Sequence, residues 1–120
     1  MSSRSRARHS LSEDHLDAIL HALSDRTRRG LLRRLAMGPA AIGELAKPVA
    51  MTRVAVSKHV RVLENARLVS RTVDGRVHRC ALRSEPLLEL ERWLAAYRAF
   101  WTDRLEALAR FAEEPGADNE

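Results

Sequence analysis

Between residues 41 and 82 the hydrophobic period changes from helical to strand-like, and this change constrains the fold more than any other feature of the chain. Ala41-Ile-Gly-Glu-Leu-Ala46, closed by Lys47-Pro48, has room for about two turns of helix. Thr52 then offers an N-cap hydroxyl to a helix of roughly fifteen residues ending near Ala66. Val56, Val60 and Leu63 form its apolar face, and Arg53, Ser57, Lys58 and Arg61 its polar face. Val54 and Val62 belong clearly to neither. Directly afterwards, Leu68–Val73 and Arg76–Leu82 are short β-prone runs on either side of Asp74-Gly75. Asp-Gly at that place predicts a hairpin with a type I′ turn, which needs positive φ at both central residues. A short helix, a tight turn, a longer capped helix and a hairpin, in that order, predict a helix-turn-helix followed by a wing.

The flanks complete a mostly helical domain. Ser12 is placed to cap a helix over residues 13–23, whose stripe is Leu16, Ile19, Leu20 and Leu23. Ser24 is placed to cap the next helix, which carries Leu31, Leu32 and Leu35 and stops before Gly38-Pro39. Pro86 suits the first position of a last helix reaching Phe111. The expected organisation is a basic, disordered N-terminal arm over 1–12, one winged helix-turn-helix domain over 13–111, and an acidic, disordered tail over 112–120.

The last helix carries more apolar surface than a small domain can hide. Leu87, Leu94, Trp101 and Leu108 are spaced by seven, and Leu90, Tyr97 and Phe111 hold companion positions, with Leu105 in a second stripe. Such spacing predicts pairing with a second copy. The first helix is the natural additional partner. The expected dimer face is therefore Leu16, Ile19, Leu20, Leu90, Leu94, Tyr97, Trp101, Leu105 and Leu108.

Charge points to the partner of the middle segment. The chain has 120 residues and a formal net charge of +5. Residues 52–83 concentrate it: Arg53, Lys58, Arg61, Arg67, Arg71, Arg76, Arg79 and Arg83 face only Glu64 and Asp74, whereas the C-terminal segment is acidic. One region is thus built to face a polyanion and another to face away from it. In a helix-turn-helix the second helix enters the major groove and reads base edges with its N-terminal residues. Thr52, Arg53, Ser57, Lys58, His59 and Arg61 are the candidates on that helix, and Arg71, Arg76, His78 and Arg79 those on the wing, against the backbone or the minor groove. The expected partner is double-stranded DNA with a pseudo-palindromic site, matched to a twofold dimer.

Several segments also resemble one family. Ala22-Leu-Ser-Asp-Arg-Thr-Arg-Arg29, Ile42-Gly-Glu-Leu-Ala46, Val56-Ser-Lys-His-Val-Arg-Val-Leu63 with Ala66 and Leu68-Val69, the Asp74-Gly75 wing and Phe100-Trp-Thr-Asp-Arg-Leu105 are similar to the ArsR/SmtB bacterial repressors over roughly residues 14–111. The resemblance implies a homodimer built on the first and last helices, and repression of the protein's own or a neighbouring operon that a signal relieves. It places Ser57, Lys58, His59 and Arg61 on the recognition helix. The chain departs from the pattern in four ways. The short helix has no cysteine pair, residues 86–111 contain no histidine, Arg26 replaces a usual proline, and Arg67 replaces a usual glycine. The two familiar metal sites of the family are therefore not expected here. Arg67 should carry the strain of a left-handed residue, of roughly 1–2 kcal/mol, unless the helix ends differently or a phosphate contact offsets it.

Other readings have less behind them. A metal sensor would need about four N, O or S ligands drawn from His9, His15, His21, His59, His78 and Cys80. His15 and His21 are six apart and do not share a helix face. Cys80 is the sole cysteine and alternates with Arg79, which predicts a core-facing, inert thiol rather than a redox switch. A winged-helix module for protein partners would leave the basic wing unexplained. There is no phosphate loop, no GxSxG elbow and no HExxH pair, so an enzyme is not expected, nor is a cofactor. No apolar run is long enough to span a membrane and no secretory signal precedes the domain, giving a cytoplasmic expectation. A small-molecule effector is compatible with the chain, though no residue demands one.

Overall fold

A computed structural model describes residues 11–113. The expected arm, up to Ser10, and the tail beyond Glu113 lie outside the described residues. The elements are α1 (Glu13–Leu23), α2 (Arg26–Leu35), β1 (Ala40–Ala41), α3 (Ile42–Val49), α4 (Arg53–Asn65), β2 (Val69–Asp74), β3 (Val77–Leu82) and α5 (Glu85–Glu113). The strands form one antiparallel sheet in the order β1-β3-β2, with Ala40 opposite Cys80 and Val69 opposite Leu82. This is a winged helix-turn-helix, mostly helical with a hairpin wing.

The helix starts follow from side-chain caps. Ser12 accepts from the His15 amide at 3.1 Å, and Thr52 accepts from the Ala55 amide at 3.1 Å. Each hydroxyl satisfies an amide that has no partner inside its helix. At α2 the cap is Asp25 rather than Ser24: its carboxylate accepts from the Arg28 amide at 3.0 Å. That hydrogen bond holds the Asp25 carboxyl below its ordinary pKa. Ser24 instead closes α1, its hydroxyl donating to the His21 carbonyl at 2.6 Å. The α3 helix continues past Lys47 to Val49 with Pro48 in its last turn, and ends at Ala50 in a left-handed conformation, φ 52°. Proline is tolerated there because only the end of the helix is affected. The α5 helix begins at Glu85, one residue before Pro86.

The recognition helix ends as a Schellman motif without its usual glycine. The Arg67 amide donates to the Glu64 carbonyl and the Leu68 amide to the Leu63 carbonyl, both at 2.9 Å. Arg67 takes φ 62°. The left-handed turn therefore occurs with a non-glycine residue, and the two hydrogen bonds together with fully buried Leu68 offset its strain.

The wing turn differs from the expected type. Asp74 pairs with Val77, so the two loop residues are Gly75 and Arg76 rather than Asp74 and Gly75. Gly75 has φ 63°, while Ala50 and Arg67 are the non-glycine residues with positive φ among those described. Glycine first and an ordinary residue second is the pattern of a type II′ turn, which shares the twist of the flanking strands.

In the unit ending at Glu89 the core is one apolar cluster. Ile19, Ala22, Val56, Val60, Leu63, Leu68 and Cys80 are fully buried, with Leu31 and Leu45 nearly so. Three of these, Val56, Val60 and Leu63, fix which way α4 faces. Burial also pushes the Cys80 thiol up from its ordinary pKa, so its thiolate is scarce. Leu16 and Ile19 lie in this single-chain core, which removes them from the expected dimer face and leaves Leu20, 43% exposed, as its member on α1.

The second unit, from Leu90 onward, is the long part of α5. Trp93 stacks on Tyr97 with ring centroids 4.9 Å apart, Tyr97 lies 5.9 Å from Trp101, and Phe100 meets Trp101 edge-on at 5.7 Å. The Arg104 guanidinium sits 3.6 Å over the Phe100 ring. Leu94, Tyr97, Trp101, Leu105 and Leu108 are all exposed, whereas Leu90 is buried and is not part of that stripe.

Candidate nucleic-acid interface

The orientation of α4 sorts its candidate residues. With 3.6 residues per turn, Val54, Lys58, Arg61 and Asn65 point within about 50° of the direction opposite the buried face, whereas Arg53, Ser57 and His59 point about 90° or more away from it. Exposure agrees: Val54 is 67% exposed, and Lys58 and Arg61 are exposed, while Ser57 and His59 are half-buried. Thr52 is exposed, but its hydroxyl is engaged in the helix cap.

The three polar residues on the flanks of α4 have partners inside the fold. His59 turns toward α2. Its Nδ1 accepts from an Arg28 Nη at 3.2 Å and lies 3.9 Å from the Asp25 carboxylate. A neutral His59 accepting at Nδ1 carries its proton on Nε2. Arg28 itself is buried, and two further hydrogen bonds join it to α1: Nε to the Ala22 carbonyl at 2.8 Å and an Nη to the His21 carbonyl at 3.0 Å. One guanidinium thus closes the C-terminus of α1, sits in the first turn of α2 and steadies the middle of α4.

Ser57 turns toward the wing, where Arg71 holds it. Arg71 donates to the Ser57 hydroxyl at 2.9 Å, to the Ser57 carbonyl at 3.1 Å and to His78 Nδ1 at 3.2 Å. It also pairs with Glu64 at 2.9 Å, and its side chain is only 11% exposed. Four acceptors on α4 and β3 therefore use most of the donor capacity of this guanidinium. Arg71 and His78, named as wing contacts, are placed where they fix the wing against α4 and not where they project from it.

Arg53 lies flat across the start of α3. A Cβ at Gly43 would stand 3.1–3.3 Å from three atoms of the Arg53 guanidinium, so the missing side chain at Gly43 makes room for it. Arg53 remains exposed, as do Arg76 at the wing tip and Arg79 on β3. A cleft of about 460 Å³ lies between α3, α4 and the wing, lined by Lys47, Arg53, Val54, Ser57, Arg76 and Val77 among others. The structure thus brings Arg53, Ser57, Arg76 and His78 to one cleft, sets Lys58 and Arg61 on the outward face of α4, and turns His59 to the opposite flank.

Val54 is the residue of this surface that its chemistry concealed. An apolar side chain on a helix is first assigned to the core. Angular arithmetic from Val56, Val60 and Leu63 would have placed it outward with Lys58 and Arg61. Among the described residues no three histidine, cysteine, aspartate or glutamate side chains gather in a cluster that could hold a metal ion.

Comparison with known proteins places this geometry among relatives. Residues 23–72 match the model of a family described as a helix-turn-helix domain. The chain is 40% identical over 106 residues to the HTH-type transcriptional regulator Rv2034 of Mycobacterium tuberculosis, covering 85% of this chain and 92% of that protein. Among solved structures it is similar to an ArsR family transcriptional regulator, RHA00566, with 39% identity and a TM-score of 0.73 over 78% of this chain and 96% of that one. It is also similar to an ArsR-like transcriptional regulator from Rhodococcus sp. RHA1, with 31% identity and a TM-score of 0.71 over 84% of this chain and 95% of that one.

Proposed function

The chain belongs to the ArsR family of winged helix-turn-helix transcriptional regulators, and from that premise we propose that it is a dimeric repressor of its own or a neighbouring operon. In this reading α4 lies in the major groove of each half-site and presents Lys58 and Arg61 to it. The wing, with Arg76 at its tip and Arg79 on β3, follows the backbone or enters the adjacent minor groove. Arg71, Ser57, His59 and His78 act one step back, holding the helix and wing in fixed relation. The observation that carries the reading is the outward face of α4, where the exposed cations stand opposite the buried valines. Phosphate contacts supply much of the affinity of such a surface and make it salt-dependent.

The dimer rests on α5. Leu94, Tyr97, Trp101, Leu105 and Leu108 are 42–63% exposed along one helix at heptad-like spacing. A second α5 would cover such a stripe by knobs-into-holes packing, with Leu20 as the exposed apolar residue of α1. A regulator of this kind works in the cytoplasm, has no catalytic role, and answers to an effector that no described residue identifies. Among the described residues no helix is long and apolar enough to cross a membrane.

The test is binding of the purified chain to a duplex of its own upstream region, against a scrambled duplex of equal length. The expected result is a preference on the order of a thousandfold, within the range typical of specific sites. Equal, weak binding to both, and likewise to duplexes of the neighbouring upstream regions, would overturn the repressor reading.

A further inference from the structure

We propose that Val54 is a specificity-determining residue that reads the C5-methyl group of a thymine in the major groove. The inference rests on the DNA-binding reading above and deepens it.

Val54 sits at the second position of α4 and is 67% exposed, on the same outward stripe as Lys58 and Arg61. Single exposed valines are ordinary on protein surfaces, but the place of this one is not arbitrary. It lines the 460 Å³ cleft together with Val77, itself 46% exposed, and the charged residues of the same lining are Lys47, Arg53, Arg76 and one carboxylate, Glu44. Three cations against one carboxylate, Glu44, which is engaged by the Ala41 amide, make a poor seat for an apolar protein partner and a good one for nucleic acid.

A valine in a major groove has neither donor nor acceptor, so it cannot read N7, O6, O4 or an exocyclic amine. The one apolar group that a base pair shows there is the thymine methyl. Of the polar residues nearest to Val54, Ser57 is engaged by Arg71 and Arg53 is packed to one side, across Gly43. The N-terminal end of α4, the part of a recognition helix that meets base edges, therefore projects a methyl-bearing side chain. The Thr52 hydroxyl is tied to the Ala55 amide, so it does not serve as a donor or acceptor for a base edge.

The test begins with selection of preferred duplexes from a random pool by the full-length chain. Each thymine of the preferred site is then replaced singly by deoxyuridine, which removes only the methyl group. For the wild type, one thymine in each half-site should cost about fourfold in affinity when replaced, the scale of one buried methyl-sized group. Val54→Ser should be blind to that replacement, and Val54→Ala, which keeps only a Cβ methyl, should respond less than the wild type, while both keep the wild-type response at every other position. Both substitutions are at an exposed site, and circular dichroism confirms the fold. If the wild type and both variants lose equally at every thymine, or if no thymine responds, the assignment of Val54 fails while DNA recognition stands. If the pool yields no preferred duplex, the repressor reading and the assignment fail together.

Discussion

Replacing both Lys58 and Arg61 with glutamate lowers affinity for the preferred duplex at least a hundredfold at about 0.1 M salt, with the fold intact. The expectation follows from where these side chains stand. Both are exposed and project from α4 opposite its buried valines. Neither has a hydrogen bond or ion pair inside the fold among those described, so their charge is free for an external anion. Each phosphate neutralised by such a cation releases condensed counterions, and the logarithm of affinity changes by about 0.9 per phosphate for each decade of salt. Substitution by glutamate removes these contacts and adds repulsion in their place. In a dimer the effect acts at both half-sites. Exposed substitutions of this kind change stability by about 0.5 kcal/mol or less. Anisotropy titrations at several salt concentrations check the affinity, and the double variant should show a shallower salt slope. Wild-type affinity in that variant would mean that another face of the domain meets DNA.

Arg28→Ala has the largest expected effect on stability, about 3 kcal/mol. The guanidinium makes three hydrogen bonds from a buried position, to the His21 and Ala22 carbonyls and to His59. Hydrogen bonds to a charged group contribute roughly 1.5–3 kcal/mol each when one partner is deleted, and bonds that share one side chain are not additive. Alanine leaves the Ala22 carbonyl without its guanidinium partner, while the His21 carbonyl keeps its Ser24 donors, and it opens a cavity beside α4. For a domain of this size the melting temperature should fall by roughly 15 °C. Arg28→Lys keeps the charge but has no fork to reach three acceptors, so it should recover less than half of the loss. Thermal and urea unfolding of the two variants decide the point. A loss under about 1 kcal/mol in Arg28→Ala would remove Arg28 as the tie between the three helices.

The parts of this fold that sequence reveals are those set by local chemistry. The caps at Ser12 and Thr52, the buried triad Val56, Val60 and Leu63, the left-handed Arg67 and the hairpin around Gly75 all depend on neighbours within about one helical turn or one β-turn. Local periodicity reaches that far and no further. Arg28 and Arg71 show the limit. Arg71 reads as a DNA contact of the wing and Arg28 draws no notice of its own in the sequence, and both are held by partners distant in the chain: His59 for Arg28, Ser57 for Arg71. Nothing in a periodic pattern marks an arginine that folding will bury.

The interface shows the same limit with the opposite sign. Ser57 and His59 have the polar chemistry of base readers, yet each points to a flank of α4 and is engaged there. Val54 has the chemistry of a core residue and points outward. The orientation of a helix depends on its deepest residues, so three buried positions assign the others better than their polarity does. The expected dimer face behaved similarly. Leu16 and Ile19 share a stripe with Leu20, but the single-chain core takes the first two and leaves the third.

The most direct test of the central claim is methylation interference on the preferred duplex. Methylation of guanine N7 places a group in the major groove, and methylation of adenine N3 places one in the minor groove. If α4 reads the major groove of two half-sites, modified guanines should block binding in two patches whose centres lie one or two helical turns apart, about 10 or 21 base pairs. Interference confined to adenine N3, or absent at every guanine of a site that contains them, would contradict the placement of α4 in the major groove.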